Sequence, residues 1–314
     1  MIFPPGGVTL SFEQNQPKSK GIVEMLKLSG VYTAMVTPFR DGKVDYGTLA
    51  ALVEEQIAGG VAGLIPVGTT GESPTLDCDE HLEVIAKTIE FADGRCQIIA
   101  GTGANCTAEA IKLTRAAKAL GADASLQVTP YYNKPTPEGL YRHFSTIADE
   151  TGLPVVLYNV PGRSGVPIPV DTVVRLSANP LMIAVKEAAG SVDRVSAIKD
   201  RCDITVLSGD DSLTLPMMAV GASGIVSVAS NLIPRDLSEM VRLALAGDFK
   251  AAAVLHKKYY RLFVDLFIES NPIPVKAAME LAGKCRAEYR LPLCGLTGPH
   301  LEQLRATLTR CGII

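Results

Sequence analysis

The sequence contains no tryptophan and only four histidines, at 81, 143, 256 and 300, none of which forms an HxxxH pair. A metal centre built on histidine is therefore not expected, and no cofactor is implied. Seven cysteines are scattered at 78, 96, 106, 202, 285, 294 and 311. Their number is odd and no two form a CxxC, so neither a disulfide framework nor a zinc ribbon is indicated. No apolar run reaches the roughly 18 residues of a membrane span, so none is expected. Excess charge is missing too. The 30 basic and 33 acidic side chains leave a net −3, which supports neither a nucleic-acid partner nor a polybasic membrane surface. The expectation is a soluble, cytoplasmic α/β enzyme with reduced thiols.

What is present is a rhythm. Residues 1–29 mix Pro, Gly, Gln, Lys and Ser without sustained periodicity. They lack the unbroken apolar core of a secretory signal and the arginines of a transit peptide, and read as a flexible or loosely docked extension. From Val31 onward short apolar runs recur without alternation: VYTAMVT, GLIPV, QIIAG, ASLQV, PVVLY, MIAV, ITVL and GIVSV. Continuous apolarity over a few residues marks strands covered on both faces, as in a parallel sheet. Amphipathic stretches of helical length lie between them, several opening with Asp, Thr or Pro and closing with Gly. Eight such units predict a (β/α)8 barrel over residues 30–248. An open dinucleotide-binding sheet would need a GxGxxG after its first strand, and VTPFRDGK has none. Residues 249–314 carry helical periodicity with no strand-like run, and predict a C-terminal helical domain. Its Tyr259, Tyr260, Leu262, Phe263, Leu266 and Phe267 are more apolar than a lone surface helix needs, which implies packing against the barrel or another subunit.

Barrel chemistry sits at the C-terminal ends of strands. There the sequence places GTTGES (68–73), TPYYN (129–133), YNVPGR (158–163), KE (186–187) and SGDD (208–211). Lys186 ends a run that should be buried, where desolvation disfavours the ammonium and favours an amine able to attack a carbonyl. Its bland alternative is a lysine that snorkels outward or pairs with Glu187. Tyr158 ends the preceding strand at the same level, where a phenol could relay protons to an imine, though it could also be an ordinary amphipathic strand-end tyrosine. The Gly/Thr turn of GTTGES can be a simple turn into a helix, or can offer backbone N–H groups to a small carboxylate.

GTTGES, TPYYNKP, YNVPGR, VKEA and SGDD, in this order and spacing, resemble the dihydrodipicolinate synthase branch of the class I, Schiff-base aldolases related to N-acetylneuraminate lyase. The resemblance extends from about residue 28 to the end and includes NPIPVKAAM (271–279). It implies a TIM barrel with a helical C-terminal domain, usually a homotetramer built as a dimer of dimers. The implied reaction joins pyruvate to L-aspartate 4-semialdehyde on the way to diaminopimelate and lysine. Carried over, Lys186 forms the pyruvate imine and Tyr158 is the acid/base at it. Thr69 and Tyr132 complete a proton relay, Tyr132 reaching in from a neighbouring subunit. Thr70 holds the pyruvate carboxylate, Arg163 the carboxylate of the second substrate, and Gly209 and Val226 line the pocket. The sialic-acid lyases and keto-deoxy sugar acid aldolases of the superfamily are the alternative; GTTGES, the tyrosine pair and Arg163 together favour the synthase. In lysine-sensitive relatives the product L-lysine binds at a subunit interface, and Ser73, His81, Asn105, Glu109 and Tyr131 match that pattern. Cys78 departs from it, standing where a histidine or aromatic residue usually lines the pocket. The plainer alternatives are that Glu109 is a first-turn acid favoured by its helix dipole and that His81 is an ordinary exposed helix residue.

Overall fold

A computed structural model describes residues 26–314; the N-terminal extension expected over 1–29 lies, up to residue 25, outside the described residues. Eight parallel strands close into a barrel: β1 (Gly30–Ala34), β2 (Gly63–Ile65), β3 (Gln97–Gly101), β4 (Ala124–Val128), β5 (Val155–Asn159), β6 (Met182–Glu187), β7 (Thr205–Ser208) and β8 (Gly224–Ser227). Each strand pairs with its sequence neighbours, and β8 closes onto β1 through Gly30↔Gly224 to Thr33↔Ser227. The apolar runs of the sequence are these strands. Their side chains alternate between two buried layers, which is why the runs show no polar alternation. Tyr32, Ile65, Ile99, Leu126, Val156, Ala184, Leu207 and Val226 fill the lumen, joined by Leu28. The outward set, including Val31, Leu64, Ile98, Leu157, Val185 and Val206, packs beneath the helices. Each such aliphatic side chain contributes about 1.5–3 kcal/mol when fully buried.

The barrel helices are α1 (Tyr46–Ala58), α2 (Cys78–Ala92), α3 (Thr107–Leu120), α4 (Pro137–Thr151), α5 (Val170–Leu176), α6 (Val192–Lys199), α7 (Thr214–Ala219) and α8 (Pro234–Leu245). Their starts follow local chemistry. Asp77 caps α2 through the N–H groups of Asp79 and Glu80, with Glu80 reaching back, and Thr136 caps α4 ahead of Pro137. A short hairpin pairs Phe39–Arg40 with Lys43–Val44 across Asp41-Gly42, both at positive φ, as an Asp-Gly turn favours.

Three helices follow the barrel: α9 (Phe249–Asp265), α10 (Ile273–Leu281) and α11 (Gly298–Cys311). The apolar stripe of α9 divides. Tyr259, Leu262, Phe263 and Leu266 are buried, whereas Tyr260 and Phe267 face solvent. α10 is tied to the barrel mouth by a buried ion pair, Lys276 Nζ to Glu72 Oε1 at 2.6 Å, with both side chains fully buried. Lys276 also donates to the carbonyl oxygens of Thr37 and Glu288. Among the described residues no helix is long and apolar enough to cross a membrane, and no cluster of His, Cys, Asp or Glu could hold a metal ion.

Candidate active site

Strand register brings Lys186 and Tyr158 together. β5 and β6 pair Tyr158↔Lys186 and Asn159↔Glu187, and the period-2 alternation of a strand sends one pair inward and the other outward. Inward, the Lys186 ammonium lies 4.0 Å from the centroid of the Tyr158 ring, and both residues are 6% exposed. Outward, Glu187 accepts from Asn159 Nδ2 at 2.7 Å and from Arg194 Nε at 2.8 Å. Burial pushes the Glu187 carboxyl up, against the Arg194 guanidinium, which holds it down. Glu187 is thus spent on the helix layer and does not pair with Lys186, and Lys186 does not snorkel outward. Among the described residues Lys186 has no hydrogen-bond or salt-bridge partner. The nearby carboxyl of Asp210 is raised by burial, and the Gly190 N–H and the Lys186 charge oppose that rise. The end of β5 is itself pinned, since Thr129 donates from both its N–H and its hydroxyl to the Tyr158 carbonyl.

Beside Tyr158 opens a cavity of about 220 Å³, lined among others by Thr69, Ser73, Tyr131, Tyr158 and Arg163. That size suits small acids rather than an extended ligand. Arg163 stands on a four-residue helical turn, Pro161–Ser164, started by proline and ended by Gly165 at positive φ. Its Nη2 donates to the Asn271 carbonyl at 3.0 Å. Thr70 is buried, and its Oγ1 accepts from Asn271 Nδ2 at 3.0 Å. Gly209 follows β7 where only hydrogen fits: a Cβ there would stand 2.6 Å from the Ala188 Cβ. Val226 lies in the lumen layer. The loops that carry these groups are strained. Val67 and Glu72 after β2, and Tyr132 and Lys134 after β4, all have positive φ, a conformation disfavoured for side-chain-bearing residues and concentrated at functional sites.

Tyr132 does not join the cluster within one chain: it is 91% exposed while its neighbour Tyr131 lines the cavity. The residues matched to a lysine pocket gather beside the same mouth. Asn105 Nδ2 donates to the Tyr131 carbonyl and Asn133 Nδ2 to the Asn105 carbonyl. Burial, with a smaller contribution from Glu109 in the first turn of α3, pushes the Tyr131 phenol up. Ser73 lines the cavity itself. His81 is buried, not an exposed helix residue: its ring Nε2 meets the Gly101 carbonyl at 2.8 Å, and burial pushes its pKa down. Cys78 is exposed at the start of α2.

Two residues of this neighbourhood carry no role in the sequence reading. Glu72, inside GTTGES, is the counter-ion of Lys276, and Asn271, which opens NPIPVKAAM, touches both Thr70 and Arg163. A lysine inside the apolar PIPVKAAM helix pattern is the signal that a buried carboxylate waits elsewhere.

A closed (β/α)8 barrel with a lysine that has no partner among the described residues, beside a tyrosine at adjacent strand ends, defines the class of the protein, a Schiff-base-forming lyase. The chain belongs to the dihydrodipicolinate synthetase family, whose model matches residues 27–311. It is 51% identical over 270 residues, 85% of this chain and 92% of the relative, to the 4-hydroxy-tetrahydrodipicolinate synthase of Leptospira biflexa. Among solved structures, the chloride-inhibited dihydrodipicolinate synthase of Acinetobacter baumannii complexed with pyruvate superposes with a TM-score of 0.90 at 48% identity, over 91% of this chain and 99% of that one. The enzyme of Cyanidioschyzon merolae with lysine bound superposes with a TM-score of 0.89 at 39% identity, over 91% and 99%.

Proposed function

We propose that this chain condenses pyruvate with L-aspartate 4-semialdehyde, the reaction of a 4-hydroxy-tetrahydrodipicolinate synthase, in diaminopimelate and lysine biosynthesis in the cytoplasm. The observation that carries the reading is the inward register pair: a buried lysine amine with no partner among the described residues, 4.0 Å from a tyrosine ring at the C-terminal end of a barrel strand. Family membership and the pyruvate complex of the Acinetobacter baumannii relative support the substrate.

The Lys186 amine adds to the ketone carbon of pyruvate, and water leaves with a proton supplied by Tyr158 to give the imine. Thr70 and the N–H groups of its turn hold the pyruvate carboxylate. Tyr158, left as the phenolate, takes a methyl proton to give an enamine, whose carbon attacks the aldehyde carbon of the second substrate as Tyr158 returns that proton to the aldehyde oxygen. Arg163, at the rim, holds the carboxylate of that substrate, to which a guanidinium fork is matched. The substrate amine then adds to the imine carbon, closes the ring and releases Lys186. Thr69 relays protons from Tyr158, and Tyr132, exposed and held on a strained backbone, completes the relay in the site of a neighbouring subunit of a homotetramer. Gly209 and the Val226 carbonyl line the pyruvate end.

Borohydride reduction in the presence of pyruvate, followed by peptide mapping, tests the reading; modification anywhere other than Lys186, or none, overturns it. An Arg163→Ala variant should still trap pyruvate but lose use of the semialdehyde. Equal loss of both steps would remove Arg163 from the second-substrate site.

The gathering of Asn105 and Glu109 around Tyr131, which shares the cavity with Ser73 and with the Gly101 that His81 contacts, supports feedback binding of L-lysine, as does the lysine-bound Cyanidioschyzon merolae relative. Glu109 and the Asn105 carbonyl group accept from the ligand's ammonium groups, and with Cys78 in the pocket the affinity is expected to be weak. L-lysine added to a steady-state assay should inhibit, and Glu109→Ala should abolish the inhibition. Unchanged wild-type activity at tens of millimolar would reject the site.

A further inference from the structure

Asn271 lies outside the barrel sequence, at the start of the segment that leads into α10, yet it touches two residues of the mouth. Its side-chain Nδ2 donates to Thr70 Oγ1 at 3.0 Å, and its backbone carbonyl accepts from Arg163 Nη2 at 3.0 Å. The side chain is 5% exposed, and its Oδ1 is buried without a hydrogen-bond partner among the described residues. The segment is anchored one helical turn later by the Lys276–Glu72 ion pair.

We infer that Asn271 is a positioning residue that sets the polarity of the Thr70 hydroxyl, turning its proton toward the carboxylate of pyruvate. A threonine hydroxyl has one proton to give and two lone pairs to receive with. When the Asn271 N–H occupies a lone pair, the Thr70 proton is left free for an anion bound beside it. The opposite amide orientation would consume that proton on Oδ1 and bury an NH2 group with no acceptor. The observed one leaves only a carbonyl-type oxygen unpartnered, the less costly of the two deficits. The same residue's carbonyl fixes one arm of Arg163, so the two carboxylate-binding groups share one support from the C-terminal part of the chain. The inference rests on the assignment of Thr70 to the pyruvate carboxylate.

Asn271→Asp keeps the shape and inverts the hydrogen bond, because a carboxylate can only accept from Thr70. Pyruvate binding, read as the concentration dependence of borohydride trapping, should weaken about 10- to 100-fold, the range for a lost hydrogen bond to a charged group. Asn271→Ala, which removes the donor without adding an acceptor, should weaken it less. Lowering the pH should restore the Asp variant toward wild type as its carboxyl protonates, and leave the ratio of Ala variant to wild type unchanged. A purely structural role predicts the reverse order, with the isosteric Asp milder than Ala, and that result overturns the inference. So does wild-type trapping by both variants. If Asn271→Asp does not fold, Asn271→Ala in a Thr70→Val background decides: the second substitution should add less than about twofold, since the hydroxyl it orients is gone, and additive effects refute the role. Thr70→Val alone separates the two readings. If it traps pyruvate like wild type, the assignment of Thr70 has failed. If it traps weakly while Asn271→Asp does not, only the role of Asn271 has.

Discussion

Lys186 and Lys276 are both more than nine-tenths buried, at 6% and 0% exposure, and their surroundings differ in one respect. The region around Lys276, where α10 meets the barrel mouth, supplies an acceptor for each of its three protons: the Glu72 carboxylate and the carbonyls of Thr37 and Glu288. The Phe39 ring lies 4.3 Å from the same nitrogen. The region around Lys186, at the end of β6, supplies the ring of Tyr158, which lines the cavity, but no acceptor among the described residues, and the adjacent Glu187 is turned away to Arg194. A buried ammonium with all its hydrogen bonds made is held in one place. One with none made among the described residues leaves its nitrogen unheld, facing the Tyr158 ring and open to form a bond. Completeness of partners, rather than burial, separates the structural lysine from the reactive one.

The sharpest way to break that comparison is to delete each amine. Lys186→Ala should lower kcat by at least ~10⁴-fold and abolish borohydride trapping. Its stability should stay within about 1 kcal/mol of wild type, since no native hydrogen bond is lost. Lys276→Met should do the opposite. Removing one partner of a buried pair leaves Glu72 charged and uncompensated, at a cost of about 3–5 kcal/mol in unfolding free energy by urea titration. The folded fraction should still trap pyruvate at Lys186. Adding Glu72→Gln to Lys276→Met should recover part of the loss, because the stranded charge is gone. A Lys276→Met protein of unchanged stability, or a Lys186→Ala protein that unfolds, would erase the distinction.

How far this could be read from sequence depended on periodicity. QIIAG and ASLQV are β3 and β4 to the residue, and CDEHLEVIAKTIEFA is α2, because doubly covered strands and capped amphipathic helices leave local signatures. The helices between β5 and β8 were less legible. α5 and α7 have seven and six residues, too few turns to display a stripe. The hairpin at Asp41-Gly42 is signalled only by that dipeptide, flanked by strands of two residues each, too short to show alternation. In the site, strand-end position pointed to Lys186 and Tyr158 directly, since chain order alone places them at the same barrel level. Contacts between distant segments left no such trace. Asn271 on Thr70 and Lys276 on Glu72 join residues about 200 apart in sequence, and no local pattern records such a pairing.

His143 provides the smallest test, because it has incomplete partners but no place in the lumen. It lies on α4, buried at 6% exposure, with Nδ1 meeting Thr107 Oγ1 at 2.9 Å and Nε2 buried without a partner. Burial pushes its pKa down to about 4, against about 6.5 for an unfolded histidine. The folded state therefore favours the neutral ring. Its contribution to stability is fully present above pH 6.5 and is lost as the pH falls from 6.5 toward 4, to a total of about 3 kcal/mol. The fully buried Asp211 acts in the other direction. Its carboxyl is pushed up to about 6 by burial, so folding gains from its protonation as the pH falls below 6. The overall acid profile mixes both, and a variant isolates the histidine. His143→Gln should be less stable than wild type at pH 7, because a cut-to-fit ring is replaced, and should close much of that gap by pH 4, where wild type alone carries the penalty. Imine formation at Lys186, measured at pH 7, should be unchanged in this variant. A gap independent of pH would mean that His143 does not titrate in this range, and a loss of trapping would mean that incomplete pairing away from the strand ends also marks catalytic residues.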